Sequence, residues 1–316
     1  MTGLVSPLVL PAAVALDWLA GDPDWLPHPV RLMGRAITFS ENLLRKSPVP
    51  DKMAGGIMAA ALVMLTFLAA SALVTLAGWP GPGVRFGLET VLIYFCLSAR
   101  SLDQAGRKVL QALVSGGVEA ARQRLRWIVG RQVEHLPAQG VLRAAIETVA
   151  ENLVDGFTAP LLFAAIAGVP GALVYKMINT MDSMVGYKTP AYIDFGWLPA
   201  RLDDLANWLP ARLSVPVIAL AGQALAGRGR QAWETARAEA RNHTSPNAGF
   251  AEAAFAGVLG VRLGGPNYYH GRKVIKPYIG TRFGPAAVMD IARACDLMLL
   301  STASWLPVCM LVARVL

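Results

Sequence analysis

From Met53 to Val84 the chain contains no ionisable residue, and nothing else in the sequence restricts its fold as strongly. About 20 apolar residues wound as an α-helix cross the roughly 30 Å hydrocarbon core of a bilayer. The stretch therefore reads as a spanning helix, closed by the breaker Trp-Pro-Gly-Pro-Gly that begins at Trp79. A second uncharged run extends from Gly156 to Tyr175. Charged residues make up only 16% of the 316 positions and hydrophobic residues 54%, whereas soluble domains average about 25% charged. That is too little charge to cover two globular surfaces. The expectation is an integral membrane protein, which excludes disordered, collagen-like, coiled-coil and small disulfide-scaffold chains.

Six apolar segments stand out: Leu4–Leu16, Met53–Trp79, Phe86–Ala99, Phe157–Tyr175, Leu213–Gly227 and Leu297–Ala313. The first and fifth are short enough to be interfacial or re-entrant rather than spanning. If all six span, the first, third and fifth loops share one side and hold 23 of the 29 Lys and Arg. Positive charge accumulates on the cytoplasmic side, which would place those loops there. The fourth segment carries Ala-Gly-Val-Pro-Gly-Ala at its centre, from Ala167. Such a turn could fold it into a re-entrant hairpin, with irregular backbone at membrane depth buried in protein or lining a cavity. Both topologies are open at this level.

The loops read as helical. Leu102, Ala105, Val109 and Leu113 recur at helical spacing before Ser-Gly-Gly, and Leu142, Ala145, Ile146, Val149 and Leu153 do so within 138–155. Residues 229–241 form a polar helix, and Ala248–Gly260 a small-residue helix. No strand-length alternation appears. The fold class is all-α: one polytopic membrane domain over 1–316, with about four to six membrane segments and helical cytoplasmic insertions at about 100–156 and 228–296.

The net charge of +8 suits cytoplasmic loops beside anionic lipid better than nucleic-acid binding, since no basic run is interleaved with aromatics. Cys96, Cys295 and Cys309 lie in or beside apolar segments without metal-ligand spacing and read as packing residues. No phosphate-binding Gly-rich loop, HExxH, CxxC or GxSxG is present. The start of the chain lacks the positive region of a secretory signal.

Four polar clusters interrupt the apolar sequence. The first, residues 17–34, holds Asp17, Asp22, Asp24, His28 and Arg31 in a Pro-punctuated loop able to bind a metal or an amine, or simply to lie at the interface with Trp18 and Trp25 as anchors. In the second, Glu147, Glu151 and Asp155 follow i, i+4, i+8 spacing, with Asn152 beside them. Like charges so spaced repel unless something positive compensates them. Arg143, one turn earlier, or a cation would do so. The third, residues 176–208, contains Asn179, Asp182, Ser183, Lys188 and Arg201 with Asp194, Asp203, Asp204 and Asn207, and Tyr187, Tyr192, Trp197 and Trp208 as a membrane-surface belt. The fourth, residues 242–271, begins with a Ser-Pro-Asn turn in which Ser245 or Asn247 caps a helix. His135 reads as an exposed surface residue. Glu89 is either a bundle-facing carboxylate or a sign that its segment is partly solvated.

These clusters, in this order, closely resemble the CobD/CbiB family of adenosylcobinamide-phosphate synthases. The matching stretches are DWLAGDPDWLPHPVRLMG, ETVAENLVDGFTAPLLF, YKMINTMDSMVGYK with its following DFG, and SPNAGFAEAAFAGVLGVRLGG. The resemblance implies an inner-membrane, multi-pass, ATP-dependent amide ligase with a cytoplasm-facing active site. Its substrates would be adenosylcobyric acid, a corrinoid, and aminopropanol phosphate (or aminopropanol), with other membrane enzymes of cobalamin assembly as partners and no nucleic acid. ATP and Mg²⁺ are the implied cofactors. Activation of a carboxylate by phosphoryl transfer is helped by Mg²⁺, which usually takes one or two protein carboxylates. On this reading Glu147, Glu151 and Asp155 are the metal candidates. Glu147, Glu151, Asp182 and His28 are the catalytic candidates. Asp17, Asp22, Arg31, Asn152, Asn179, Ser183, Lys188, Arg201, Ser245 and Asn247 are candidates for substrate or phosphate contacts. All four clusters are expected to line one polar cavity at the cytoplasmic membrane edge. A non-catalytic membrane regulator of the same superfamily and a small-molecule transporter are the alternatives.

Overall fold

The computed structural model describes residues 6, 8–23, 28–130, 132–269, 272–274 and 277–316, of which 267–269 and 272–274 are described by backbone alone. Asp24 and Trp25 of the first cluster lie outside the described residues. The described residues form twelve α-helices: α1 Val9–Ala20, α2 Pro29–Leu44, α3 Asp51–Gly78, α4 Pro82–Tyr94, α5 Ala99–Leu125, α6 Ala138–Leu153, α7 Ala159–Val185, α8 Trp197–Ala206, α9 Trp208–Ala226, α10 Gly229–Glu239, α11 Ala248–Leu259 and α12 Asp290–Val315. The chain is an all-α polytopic membrane protein. Among the described residues the strands are pieces of two or three residues: β1 Leu263–Gly264 pairs antiparallel with β4 Tyr278–Ile279, and β2 Asn267–Tyr269 with β3 Arg272–Val274.

Among the described residues, four helical stretches are long and apolar enough to cross a membrane: Asp51–Gly78, Ala138–Val185, Trp197–Ala226 and Asp290–Val315. At 1.5 Å per residue, α3 is about 42 Å long, and it leaves Met64, Leu65, Phe67, Leu68, Leu73 and Leu76 exposed. In water that face would be unfavourable; in acyl chains it costs nothing. Pro80, Gly81 and Pro82 end α3 and start α4, with Gly81 at φ 137. Leu4, Val5 and Pro7 of the first apolar segment lie outside the described residues and its remainder from Val9 is in the short helix α1, while Phe86–Tyr94 of the third lies in the short helix α4.

The chain divides into two compact units. Unit 1 holds residues 1–98, 155–209 and 306–316; unit 2 holds 99–154 and 210–305. In unit 1, α7 packs against α2, α3, α4 and α8. This helix is not straight. Ala167 (φ −132, ψ 17) and Gly168 (φ 64, ψ −156) leave the helical region just before Pro170. The Phe163 and Tyr175 rings stack with centroids 5.2 Å apart. Twelve residues along a straight α-helix would separate them by about 18 Å. The Tyr175 hydroxyl also lies 3.4 Å from the Asp155 carbonyl oxygen. The uncharged run is therefore a helical hairpin with its tip at Ala167–Gly168, the fold-back that the Gly-Pro-Gly turn allowed. Gly168 serves there because a positive φ costs a side-chain-bearing residue roughly 1–2 kcal/mol. Beyond the tip, the second arm runs on from Val169 to Val185, about 25 Å at 1.5 Å per residue.

Unit 2 is built on α6, which packs against α5 and α11, while α11 packs against α10. α11 is rich in Ala and Gly, so its neighbours approach closely: a Cβ on Gly257 would stand 2.6 Å from Ala232 Cα of α10. α5 is fastened to α12 by Arg107, whose guanidinium donates to Asp296 Oδ1 (2.6 Å) and Asp103 Oδ1 (2.8 Å). The hydrogen bond to Asp296, ahead of those to Asp103, raises the Arg107 pKa above its ordinary value.

Candidate functional site

The first and third clusters meet in unit 1. His28 caps α2, its Nδ1 accepting from the Val30 amide (3.2 Å), with Pro29 in the first helical position where no amide is needed. Its Nε2 stands 3.5 Å from Asp22 Oδ1, and its ring meets Phe95 edge-on at 5.0 Å. With Nδ1 accepting from that amide, Nε2 is the ring nitrogen that faces the Asp22 carboxylate. Asp17, in the last turn of α1, is buried, and the Tyr94 hydroxyl donates to the Gly21 carbonyl beside it. Arg31 is exposed and lines a groove of about 560 Å³ with Gly34, Arg35 and Met184, so residues of both clusters border one surface.

Behind the second arm of α7 runs a line of hydrogen bonds. Tyr175 donates to Asn207 Oδ1 (2.9 Å), Asn207 Nδ2 to Asp203 Oδ2 (3.1 Å), and Asn179 Nδ2 to Asp203 Oδ1 (3.3 Å). Each Asp203 oxygen thus has an amide donor, which a carboxylate among apolar helices requires. Tyr175 and Asn207 are buried. Ser183 donates back to the Asn179 carbonyl (2.9 Å), one turn earlier, and is exposed.

The loop 186–196 that follows is wedged into place by glycines. A Cβ on Gly196 would collide with the Val185 carbonyl oxygen, and one on Gly55 of α3 with the Phe195 carbonyl oxygen. Arg45, at the end of α2, donates to the Ala191 carbonyl (2.8 Å) and lies over the Phe195 ring at 4.4 Å. Burial, with Glu41 nearby, raises the Tyr192 phenol above its ordinary pKa. Lys188 projects into solvent from this loop. Arg201 is exposed on α8, 3.4 Å from Asp204.

Unit 2 holds the second and fourth clusters, apart from Asp155. Glu147 is buried, and its Oε1 accepts from the Gly264 amide of β1 at 2.7 Å. Glu151, one turn on, is exposed; Asn152 donates to the Thr148 carbonyl of its own helix at 2.9 Å. α6 ends at Leu153, and Val154–Thr158 are wound as π-helix, so Asp155 follows in a wider turn rather than on a continuous α-helical stripe. Arg143 stacks over Tyr278 at 5.5 Å. The Ser-Pro-Asn turn caps α11 through Ser245, whose Oγ accepts from the Asn247 (3.3 Å) and Ala248 (3.2 Å) amides. Asn247 Oδ1 accepts from Arg212 (3.2 Å), which lies over Phe250 at 4.5 Å.

Three participants were not singled out by pattern. Tyr175 closes an apolar run and looks like an aromatic anchor. Glu252 is buried in the middle of α11 with His243 Nε2 at 3.6 Å; a carboxylate inside an Ala/Gly helix was the available signal. Arg212 looked like a flanking charge. Glu89, in α4, is buried and accepts from Arg85 at 2.8 Å, and His135 is exposed. Among the described residues no group of three or more His, Cys, Asp or Glu is arranged to hold a metal ion. Mg²⁺ asks for less, one or two carboxylates with water completing its shell. In unit 2 the carboxylates of α6 are the exposed Glu151 and the buried Glu147, which accepts from the Gly264 amide.

Residues 10–298 match the family model described as CobD/Cbib protein. The chain belongs to the CobD/CbiB family. Among curated CobD/CbiB proteins, it is 47% identical to "Cobalamin biosynthesis protein CobD" of Geobacter metallireducens, over 88% of this chain and 87% of that one. It is 42% identical to the CobD protein of Klebsiella pneumoniae over 90% of each chain, and 41% identical to "Cobalamin biosynthesis protein CbiB" of Salmonella typhimurium over 95% of each. No solved structure matches. The CobD/CbiB match covers all four polar clusters and both units.

Proposed function

We propose that this chain acts in cobalamin biosynthesis as an ATP-dependent amide ligase, joining a carboxylate of adenosylcobyric acid to the amine of aminopropanol phosphate or aminopropanol. The observation that carries the reading is the line Tyr175–Asn207–Asp203–Asn179, set among apolar helices of a chain similar along most of its length to named cobalamin biosynthesis proteins. Polar groups at membrane depth are expensive and mark function more often than stability.

Amide formation from a free carboxylate requires a leaving group on the acyl carbon, and ATP with Mg²⁺ supplies the phosphoryl group that provides it. The chain's own residues do the rest. Glu151 is the carboxylate presented to the metal in unit 2. Lys188, Arg31 and Arg201, all exposed in unit 1, contact the phosphate of the amine substrate. Attack needs a neutral amine, so a carboxylate must accept its proton. Asp182, half-buried beside the hydrogen-bonded line, takes that role, and the His28–Asp22 pair carries the proton onward. The active site faces the cytoplasm, where ATP is found.

The hairpin of α7 is also the kind of broken helix a transporter uses around a substrate, and one experiment separates the two. Purified protein is incubated with adenosylcobyric acid, aminopropanol phosphate and MgATP. The amide, detected by mass and dependent on ATP, supports ligation. Unchanged substrates, with corrinoid uptake into protein-containing vesicles, would establish transport instead.

A further inference from the structure

α5 carries a groove that none of these roles uses. The helix is broken at Gly117 (φ 74, ψ −168), and the arms on either side of the break each present one face to a common cavity of about 780 Å³. Lys108, Gln111 and Ser115 come from the first arm. Gln123, Arg124 and, just beyond the helix end, Trp127 come from the second. The volume lies within the roughly 300–1,000 Å³ of small-molecule sites.

Its charge is one-sided for a specific reason. The two acidic residues of α5 are both engaged by neighbouring arginines, Asp103 by Arg107 at 2.8 Å and Glu119 by Arg122 at 2.7 Å. Neither lines the groove, which contains two cations and no carboxylate. Elsewhere in unit 2, Arg230 and Arg282 share the Glu234 carboxylate, so these cations are paired with an acid in a way that the groove's own lining does not offer. Beside the two cations stand two primary amides, each donor and acceptor. The Trp127 indole is 85% exposed, with a face free to stack on a flat ring.

We infer that the α5 groove binds a nucleoside polyphosphate. The phosphates lie on Lys108 and Arg124, as a point charge and a planar fork suit them. The base stacks on Trp127, and the Gln111 and Gln123 amides take the polar edges of base or sugar. This rests on the amide-ligase reading in that such a reaction consumes ATP, and it adds where the nucleotide is held.

The test is direct binding of a fluorescent N-methylanthraniloyl ATP to the full chain in phosphatidylcholine nanodiscs, read by anisotropy. Lys108→Gln and Arg124→Gln should each weaken binding about tenfold, the scale of one charge-assisted phosphate contact. The double variant should show no saturable binding. Trp127→Ala should weaken ATP binding while leaving competition by inorganic triphosphate unchanged, and Trp127→Phe should restore it. Arg230→Gln is the control and should bind as wild type does. The inference is overturned if the double variant binds like wild type, if the wild type shows no saturable binding, or if phosphatidylglycerol in the nanodisc displaces the nucleotide. The two readings fail separately. Amide formation by a double variant that still binds nucleotide removes the groove and keeps the ligase; groove-dependent binding without amide formation removes the ligase and keeps the groove.

Discussion

Glu147 and Glu151 sit one helical turn apart and have different surroundings. Glu147 is buried and answers a backbone amide; Glu151 faces solvent. Replacement by glutamine should therefore separate them. Glu147→Gln weakens a charge-assisted bond to Gly264 and should lower stability by about 1–3 kcal/mol, measured as a lower midpoint of thermal unfolding in detergent. Glu151→Gln should leave that midpoint unchanged and reduce amide formation by at least about tenfold, which corresponds to about 1.4 kcal/mol of lost transition-state stabilisation. Wild-type turnover of Glu151→Gln across a Mg²⁺ titration would reduce Glu151 to a solvated helix residue. Spacing alone made the two look alike, because i, i+4 periodicity reports which face a residue shares and not what lies opposite it. Gly196 makes a sharper structural prediction. Gly196→Ala forces a methyl group against the Val185 carbonyl, and overpacking of this kind typically costs about 1–3 kcal/mol. The yield of folded protein and the unfolding midpoint should both fall, and Gly78→Ala, with open space around it, should do neither.

Among the elements, the α7 hairpin is the one that straight-helix reasoning would misplace. Length and hydropathy alone allow Ala138–Val185 to be read as membrane-crossing helix. The fold-back predicts that cysteines at Phe163 and Tyr175 are joined by a short bifunctional thiol reagent within one chain. A straight helix, holding them about 18 Å apart, would give no such product. The hairpin was legible because its cause is local: Gly168 and Pro170 interrupt the hydrogen-bond ladder wherever they occur. The Trp-Pro-Gly-Pro-Gly break and the Ser245 cap were legible for the same reason. The hydrogen-bonded line was only half legible. Asn179 and Asp203 stood out as polar residues in apolar company, but their pairing depends on α8 returning beside α7, and no short-range pattern encodes that. The π-turn at Val154–Thr158 likewise has no sequence mark, since its residues suit an ordinary α-helix equally well.

At the scale of the molecule, the sequence showed a polytopic helical membrane protein because apolar runs longer than any soluble core helix needs are hard to disguise. It did not show the division into two units, each assembled from stretches far apart in the chain. The 100–156 and 228–296 stretches hold 18 of the 29 Lys and Arg. They should therefore lie in the cytoplasm, where ATP is supplied. Single cysteines at Gln123 and Gln231, both exposed, should resist a membrane-impermeant maleimide in intact cells and react after lysis. Labelling of both from outside would invert the topology and remove ATP from reach. The hairpin bears on how such a chain is made. A helix that doubles back at Ala167–Gly168 is not a single straight crossing that the bilayer can take up while the ribosome is still adding residues. Its seat includes α8, which is synthesised after it, so the hairpin must wait, shielded, until later sequence emerges and closes around it. Biogenesis of this protein is thus a matter of sequence order as well as hydrophobicity, and a nascent chain halted before α8 is the form most in need of a chaperone.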